Sequence, residues 1–199
     1  MSGVKSTIRV SVKRLAAAKT TLRTARCGAS RQGPGRLGTS EKSILITQGN
    51  LSVTYNALRR FEECLRMRRD VYSGYLRLHG EEHEETLRAA SNYALSLLQQ
   101  QRYTEARSLL RKEIPVARRV IGEDHEITLS MRWHSARALY EDDSATLGDV
   151  REAVTTLEET RRIARRVFGS THPHLHFIER YLRNARAALR ARETPPTSN

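Results

Sequence analysis

Small and apolar side chains recur along this chain at spacings of three and four, the period of helices that bury one stripe. Leu87, Ala90, Ala94 and Leu97 form such a stripe and predict a helix from about Glu84 to Gln100. Ala106, Leu109, Leu110, Ile114 and Ala117 form another and predict a helix from about Thr104 to Val120. Gly122 stops the second helix, and Arg118 and Arg119 suit its last turn, where the backbone dipole favours positive charge. Only Gln100-Gln101-Arg102 separates the two, so they are predicted to pack antiparallel. Nearer the C-terminus, Tyr181, Ala185, Ala188 and Leu189 mark a helix over Phe177 to Arg192, ended by Thr194-Pro195-Pro196.

The pattern repeats. Gly80-Glu-Glu-His83-Glu-Glu-Thr86-Leu87 returns 42 residues later as Gly122-Glu-Asp-His125-Glu-Ile-Thr128-Leu129. A weaker copy, Gly169-Ser-Thr-His172-Pro173-His174-Leu175, follows at an offset of 47, and counting back 42 from Gly80 reaches Gly38. The interiors align as well: Arg60-Phe61-Glu62-Glu63-Cys64 with Arg102-Tyr103-Thr104-Glu105-Ala106, and Asn50-Leu51-Ser52 with Asn92-Tyr93-Ala94. The five extra residues of the third copy fall in Glu141 to Asp149, a polar stretch with a glycine, and should lengthen a turn while leaving both flanking helices intact. The predicted fold is therefore all-α, an α-solenoid of antiparallel helix pairs, in which stacked pairs complete each other's burial. Its predicted organisation is a basic tail over 1–37, repeats over 38–79, 80–121 and 122–168, a capping helix over 169–192, and a short tail over 193–199. Pro115 falls inside the second helix of the middle copy, where it removes one backbone donor and should kink the helix.

These phrases resemble tetratricopeptide repeats of the kinesin light chain type, whose units are 42 residues long. Such units open on Gly-x-x-His-Pro-x-Thr-Leu, continue with Asn-Leu-Ala and carry Tyr-x-Glu-Ala at the start of the second helix. Here the matching residues are Gly80 to Leu87, Asn92-Tyr93-Ala94 and Tyr103-Thr104-Glu105-Ala106, and the likeness extends over about residues 38–190. The departures are specific. Only His172 is followed by Pro, Glu84 and Glu126 take that place in two copies, and Trp133-His134 stand where Ser91-Asn92 stand one copy earlier.

The resemblance implies a right-handed superhelical array whose first helices line a concave face that binds ligands. Carried over position by position, that face would hold Asn50 and Val53 in the first copy, Arg88, Ser91, Asn92 and Leu95 in the second, and Ser130, Trp133, His134 and Arg137 in the third. An Asn amide donates to and accepts from an extended peptide backbone, Arg88 and Arg137 can pair with carboxylates, and Trp133 can serve as an aromatic anchor. The expected partner is a protein or peptide, acidic or ending in a free carboxylate. For each residue a plainer reading stands beside this one: Trp133 packing between repeats, the asparagines holding a neighbouring helix, the arginines as solvated charges, Leu95 as core.

Composition narrows the alternatives. The chain has 199 residues, 38% hydrophobic and 29% charged, which suits thin stacked layers better than one large core. Of its 35 Lys/Arg, nine fall in residues 1–37 with no acid; the rest of the chain carries 26 against 22 acids. The net charge of +13 is thus mainly a property of the N-terminal segment. That segment reads as an organellar transit peptide, as a basic tail for nucleic acid or acidic membrane, or as a mispredicted start. The cytoplasm is the expected compartment, with an organelle as the alternative. Recurrent pairs such as Arg68-Arg69, Arg118-Arg119 and Arg165-Arg166 keep a nucleic-acid-binding helical repeat as the second functional class. No run approaches the roughly 18 apolar residues of a membrane span. No nucleophile motif, phosphate loop or Cys-x-x-Cys is present, so neither enzymatic activity nor a cofactor is expected. His172, His174 and His176 invite a metal reading, yet positions two apart on a helix do not share a face, and no metal is expected. Cys64 takes the place of Ala106 and Ala153 and reads as a buried structural residue, and two cysteines are too few for a disulfide framework.

Overall fold

A computed structural model describes Thr20 and residues 34–194. Among them lie seven helices and no strand: α1 (Pro34–Ala57), α2 (Phe61–His79), α3 (Glu84–Gln99), α4 (Tyr103–Val120), α5 (Glu126–Tyr140), α6 (Leu147–Phe168) and α7 (Pro173–Glu193). In chain order these are the first and second helices of three copies, followed by one further helix, so the fold is the all-α solenoid class that the periodicity predicts. The basic segment 1–37, apart from Thr20 and the start of α1, lies outside the described residues, as do Cys27 and 195–199. α1 begins at Pro34, so Gly38, which the repeat count places at an opening turn, lies within a helix. The chain divides into two compact units, one ending at Ser96 and the other beginning at Leu97.

The Gly-x-x-His phrase is a helix stop followed by a helix start. Gly80, Gly122 and Gly169 have φ of 83°, 94° and 81°. With ψ of 176° and 169°, Gly80 and Gly169 occupy a region that only glycine enters cheaply. Three residues on, an imidazole caps the next helix. Nδ1 of His83 accepts from the N–H of Glu85 at 3.2 Å, His125 from Ile127 at 3.3 Å, and His172 from His174 at 3.3 Å. Pro173 takes the first position of α7, where its missing donor costs nothing, which explains why this helix starts four residues before Phe177.

The turns inside each pair also repeat. Arg59 and Gln101, 42 apart, both have φ of 58°, and the following amides, Arg60 and Arg102, each reach back 2.9 Å to the carbonyls of Tyr55 and Leu97. This is the left-handed closure that ends many helices. In the third copy the turn runs over 141–146 and ends in a capping box. There the Thr146 hydroxyl accepts from the Asp149 amide at 3.1 Å, and the Asp149 carboxylate accepts from the Thr146 amide at 2.8 Å. The insertion therefore lengthens the turn, while Leu147 to Asp149 become the first turn of α6.

Burial follows one register in all three second helices. Ala106, Leu110, Glu113 and Ala117 are buried in α4, Ala153, Leu157, Thr160 and Ala164 in α6, and Cys64, Arg68, Val71 and Tyr75 in α2. On α4 the stripe differs from the predicted one, since Leu109 and Ile114 are only half-buried and Glu113 is wholly enclosed. α4 also runs from Tyr103 to Val120 as one helix through Pro115. On α3 the predicted Leu87, Ala90, Ala94 and Leu97 are all buried. In the second unit α7 packs on α6 and α5 through Leu175, Ile178, Leu182 and Ala185, joining a core with Leu129, Trp133, Leu139 and Val150. Cys64 is buried in the first unit, its Sγ 3.7 Å from Ser96 Oγ.

Two outcomes follow for stability. Gly122→Ala should cost about 1–3 kcal/mol in denaturant unfolding, because no L side chain is at ease at that φ. His174 lies beside Trp133, Phe168 and His172, with Glu126 Oε1 3.6 Å from Nε2. Burial lowers its pKa, Glu126 opposes that, and His172 adds to it. The folded state thus favours neutral imidazole, so stability is full above the ordinary range of about 6.5 and falls as pH drops below it. Thermal melts across this range should show that decline, with a shallower slope in His174→Gln.

Candidate functional site

In the first unit, α1, α2 and α3 bound a cavity of about 270 Å³. α1 is brought close to α2 at Gly74, where a Cβ would collide with the buried side chain of Leu45. The same Leu45 joins Val71, Tyr75 and Ala89 in a small core that forms the cavity's floor. Ile46, Gly49, Asn50 and Val53 line it from α1, and Arg88 and Asn92 from α3. Val53 is 61% exposed and Ile46 47%, so the rim offers an apolar patch open to solvent.

Four of the residues anticipated from the sequence therefore meet at one place: Asn50, Val53, Arg88 and Asn92. Asn50 and Asn92 are exposed, and among the described residues neither side-chain amide has a hydrogen-bond partner. Arg88 is not a free cation, because its Nη2 donates to Glu84 Oε1 at 2.5 Å one turn earlier. Ser91 is buried and Leu95 half-buried, and neither lines the cavity.

In the second unit the corresponding positions belong to the packing of the fold. Trp133 is only 6% exposed, and its ring meets His174 edge-on at 5.2 Å and His134 at 5.8 Å. His134 is buried and Ser130 half-buried. Arg137 donates two bonds to Glu141, Nε to Oε1 at 2.7 Å and Nη2 to Oε2 at 2.8 Å, with its guanidinium over the Tyr181 ring at 5.4 Å. Burial alone would lower the pKa of Arg137, but the hydrogen bond and charge of Glu141 outweigh it and hold the group charged. The plainer reading of Trp133, packing between helices, describes its surroundings.

The cavity also holds a residue that the sequence reading counted only among the recurrent basic pairs. Arg68, on α2, is 8% exposed and lines it from below. Its Nη1 donates to the Asn92 carbonyl at 2.9 Å and to Ser96 Oγ at 3.0 Å. Burial lowers its pKa, with a small opposing influence from Cys64. The signal was present in the repeat: Arg68 stands in register with Leu110 and Leu157.

A second, shallower concavity of about 670 Å³ lies along α6, lined by Arg161, Arg162, Arg165, Arg166 and Glu158. Arg166 is paired with Asp124 at 2.9 Å, and Glu158 accepts from Arg186 at 2.5 Å.

Helix pairs joined by glycine stops and histidine caps, with the first helices α1 and α3 opening onto a cavity, define a helical-repeat scaffold. A tetratricopeptide-repeat profile matches residues 43–112 and 85–145, and a second one matches 143–174. The chain belongs to the tetratricopeptide-repeat family. Among solved structures it is similar to a kinesin light chain-type protein of Podosopora anserina with nearly identical TPR-like repeats. That likeness has a TM-score of 0.63 and 21% identity, and covers 96% of this chain and 89% of that one. It is also similar to BtubC (BKLC) from P. vanneervenii, with a TM-score of 0.56 and 14% identity over 95% of this chain and 94% of that one. At these identities the likeness is one of fold. Among curated proteins none matches the sequence.

Trp133→Ala distinguishes core from anchor. Loss of a buried indole should lower unfolding free energy by about 3–5 kcal/mol. A purely ligand-facing Trp would leave the denaturation midpoint unchanged.

Proposed function

We propose that the first unit's cavity receives an extended, acidic segment of a partner protein, and that the chain works as a non-catalytic interaction scaffold. The observation that carries this reading is the meeting of Asn50, Val53, Arg88 and Asn92 around one open cavity. Two asparagine amides at equivalent positions of successive copies supply paired donors and acceptors at the spacing of a stacked repeat, which suits an extended backbone better than a compact ligand. Exposed Val53 and Ile46 add apolar contact for one side chain of the segment. Arg88, with Glu84 already on it, contributes direction more than net attraction.

A second reading, a nucleic-acid contact along α6, draws on the arginine-lined concavity there. No helix among the described residues is long and apolar enough to cross a membrane. We place the scaffold in the cytoplasm, or in an organelle if residues 1–37 act as a leader, which fractionation of the tagged full chain would decide.

The test uses the full chain on an array of acidic peptides, followed by titration of the best binders in solution. Asn50→Ala/Asn92→Ala should weaken binding by about tenfold or more, two hydrogen bonds being removed, with the thermal midpoint unchanged because both side chains are exposed. Binding that survives the double substitution would refute the groove. Capture that disappears with nuclease, falls steeply with salt and is lost on Arg161→Glu/Arg165→Glu would move the function to α6.

A further inference from the structure

The second helices share four buried register positions, and the second of these is Leu110 in α4 and Leu157 in α6, both fully enclosed. In α2 the same position is Arg68. Replacing a core leucine by arginine takes a cation out of water, and such an exchange is costly unless the charge is paired and its donors are satisfied. Three other arginines with restricted exposure find a carboxylate: Arg137 is paired with Glu141, Arg132 with Glu159, and Arg107 with Asp149, whereas the half-buried Arg192 donates to the Asp142 carbonyl. In Arg68, Nη1 is held by the Asn92 carbonyl and Ser96 Oγ, both neutral. Among the described residues Nε and Nη2 have no hydrogen-bond partner, and no carboxylate forms an ion pair with the guanidinium. That edge, one N–H on Nε and two on Nη2, is not enclosed and reaches solvent where Arg68 lines the cavity, and it is the fork that holds a carboxylate by two parallel bonds.

We propose that Arg68 is the anchor of this cavity, completing its hydrogen bonding with a carboxylate carried by the bound segment. The inference rests on the peptide-binding reading of the cavity given above. It names the group that reading leaves open, and it moves the attractive charge from Arg88 on the rim to Arg68 at the floor. The lining favours a single negative charge. Besides Arg68 it holds Arg88, already paired with Glu84, and Glu85, whose carboxylate would repel a dianion such as phosphate. The hydrogen bonds from Nη1 to α3 fix the guanidinium plane before ligand arrives, so little side-chain entropy remains to be lost on binding. The carboxylate has two possible sources, an Asp or Glu side chain or the C-terminus of the partner.

The test starts with the full chain and acetate as the probe. Side-chain ¹⁵N NMR of arginine Nε is followed during titration with sodium acetate, with sodium chloride at equal ionic strength as control and Arg68→Lys to assign the resonance. A saturable acetate shift at Arg68 that chloride does not reproduce is expected, and no difference between the two salts overturns the proposal. In parallel, Arg68→Leu restores the residue of the other copies. It should melt at or above the wild type, yet bind the best acidic peptides about tenfold or more weakly. Amidating the peptide C-terminus, or changing its Asp and Glu to Asn and Gln one at a time, should reproduce that loss in wild type at one position and add nothing in Arg68→Leu, which identifies the source. If peptides bind, and Arg68→Leu binds them as well as wild type, the anchor is wrong and the groove stands. If no peptide binds, the groove reading fails, and the acetate titration alone still decides whether Arg68 takes a carboxylate.

Discussion

Close approach of helices at small side chains is the constraint on which this fold depends. Cys64, Ala106 and Ala153 occupy one register position of the second helices, and all three are buried. Gly74 and Leu45 achieve the same closeness between α1 and α2 by a different route, one chain offering no Cβ and the other filling the gap with a leucine. Interaxial distance is set by the side chains at the contact, so these residues fix how near each layer lies and where its larger neighbours must go. In the first unit they leave Asn50 and Asn92 on open surface above a shallow floor. In the second, the layer formed by α5, α6 and α7 closes over Trp133 and His134.

Much of this architecture was legible because it is written in local chemistry. Glycine at positive φ and an imidazole cap three residues later are backbone requirements, and they keep their spelling at Gly80-His83, Gly122-His125 and Gly169-His172. The stripes of α3 came through for the same reason, since the buried side of that helix is apolar or small. α4 was harder. Its third buried position is Glu113, and a reading that scores only apolar side chains passes over a carboxylate and shifts the stripe to Leu109 and Ile114.

The lining of the candidate cavity was half legible. Asn50, Val53, Arg88 and Asn92 follow from repeat register alone, because the first helices carry equivalent positions to one side. Register cannot say whether an equivalent position stays open, which depends on what the neighbouring helix brings. His174 arrives from α7 against Trp133, and Glu141 takes two donors of Arg137. Arg68 eluded a stripe-based reading because arginine is ordinarily surface. Comparing the copies column by column, with Leu110 and Leu157 beside it, marks it as the anomaly.

The turn between α5 and α6 illustrates how a repeat array can change its period without changing its stacking. Arg137 grips Glu141 at one end, and the reciprocal bonds of Thr146 and Asp149 close the other. Both ends are anchored, so added length between them costs only the slowly growing entropy of a longer loop. Such a joint is a natural seam for evolution: copies of unequal length can be spliced together there while each helix keeps its own neighbours. It is equally a natural place for an engineer to insert a tag or a probe.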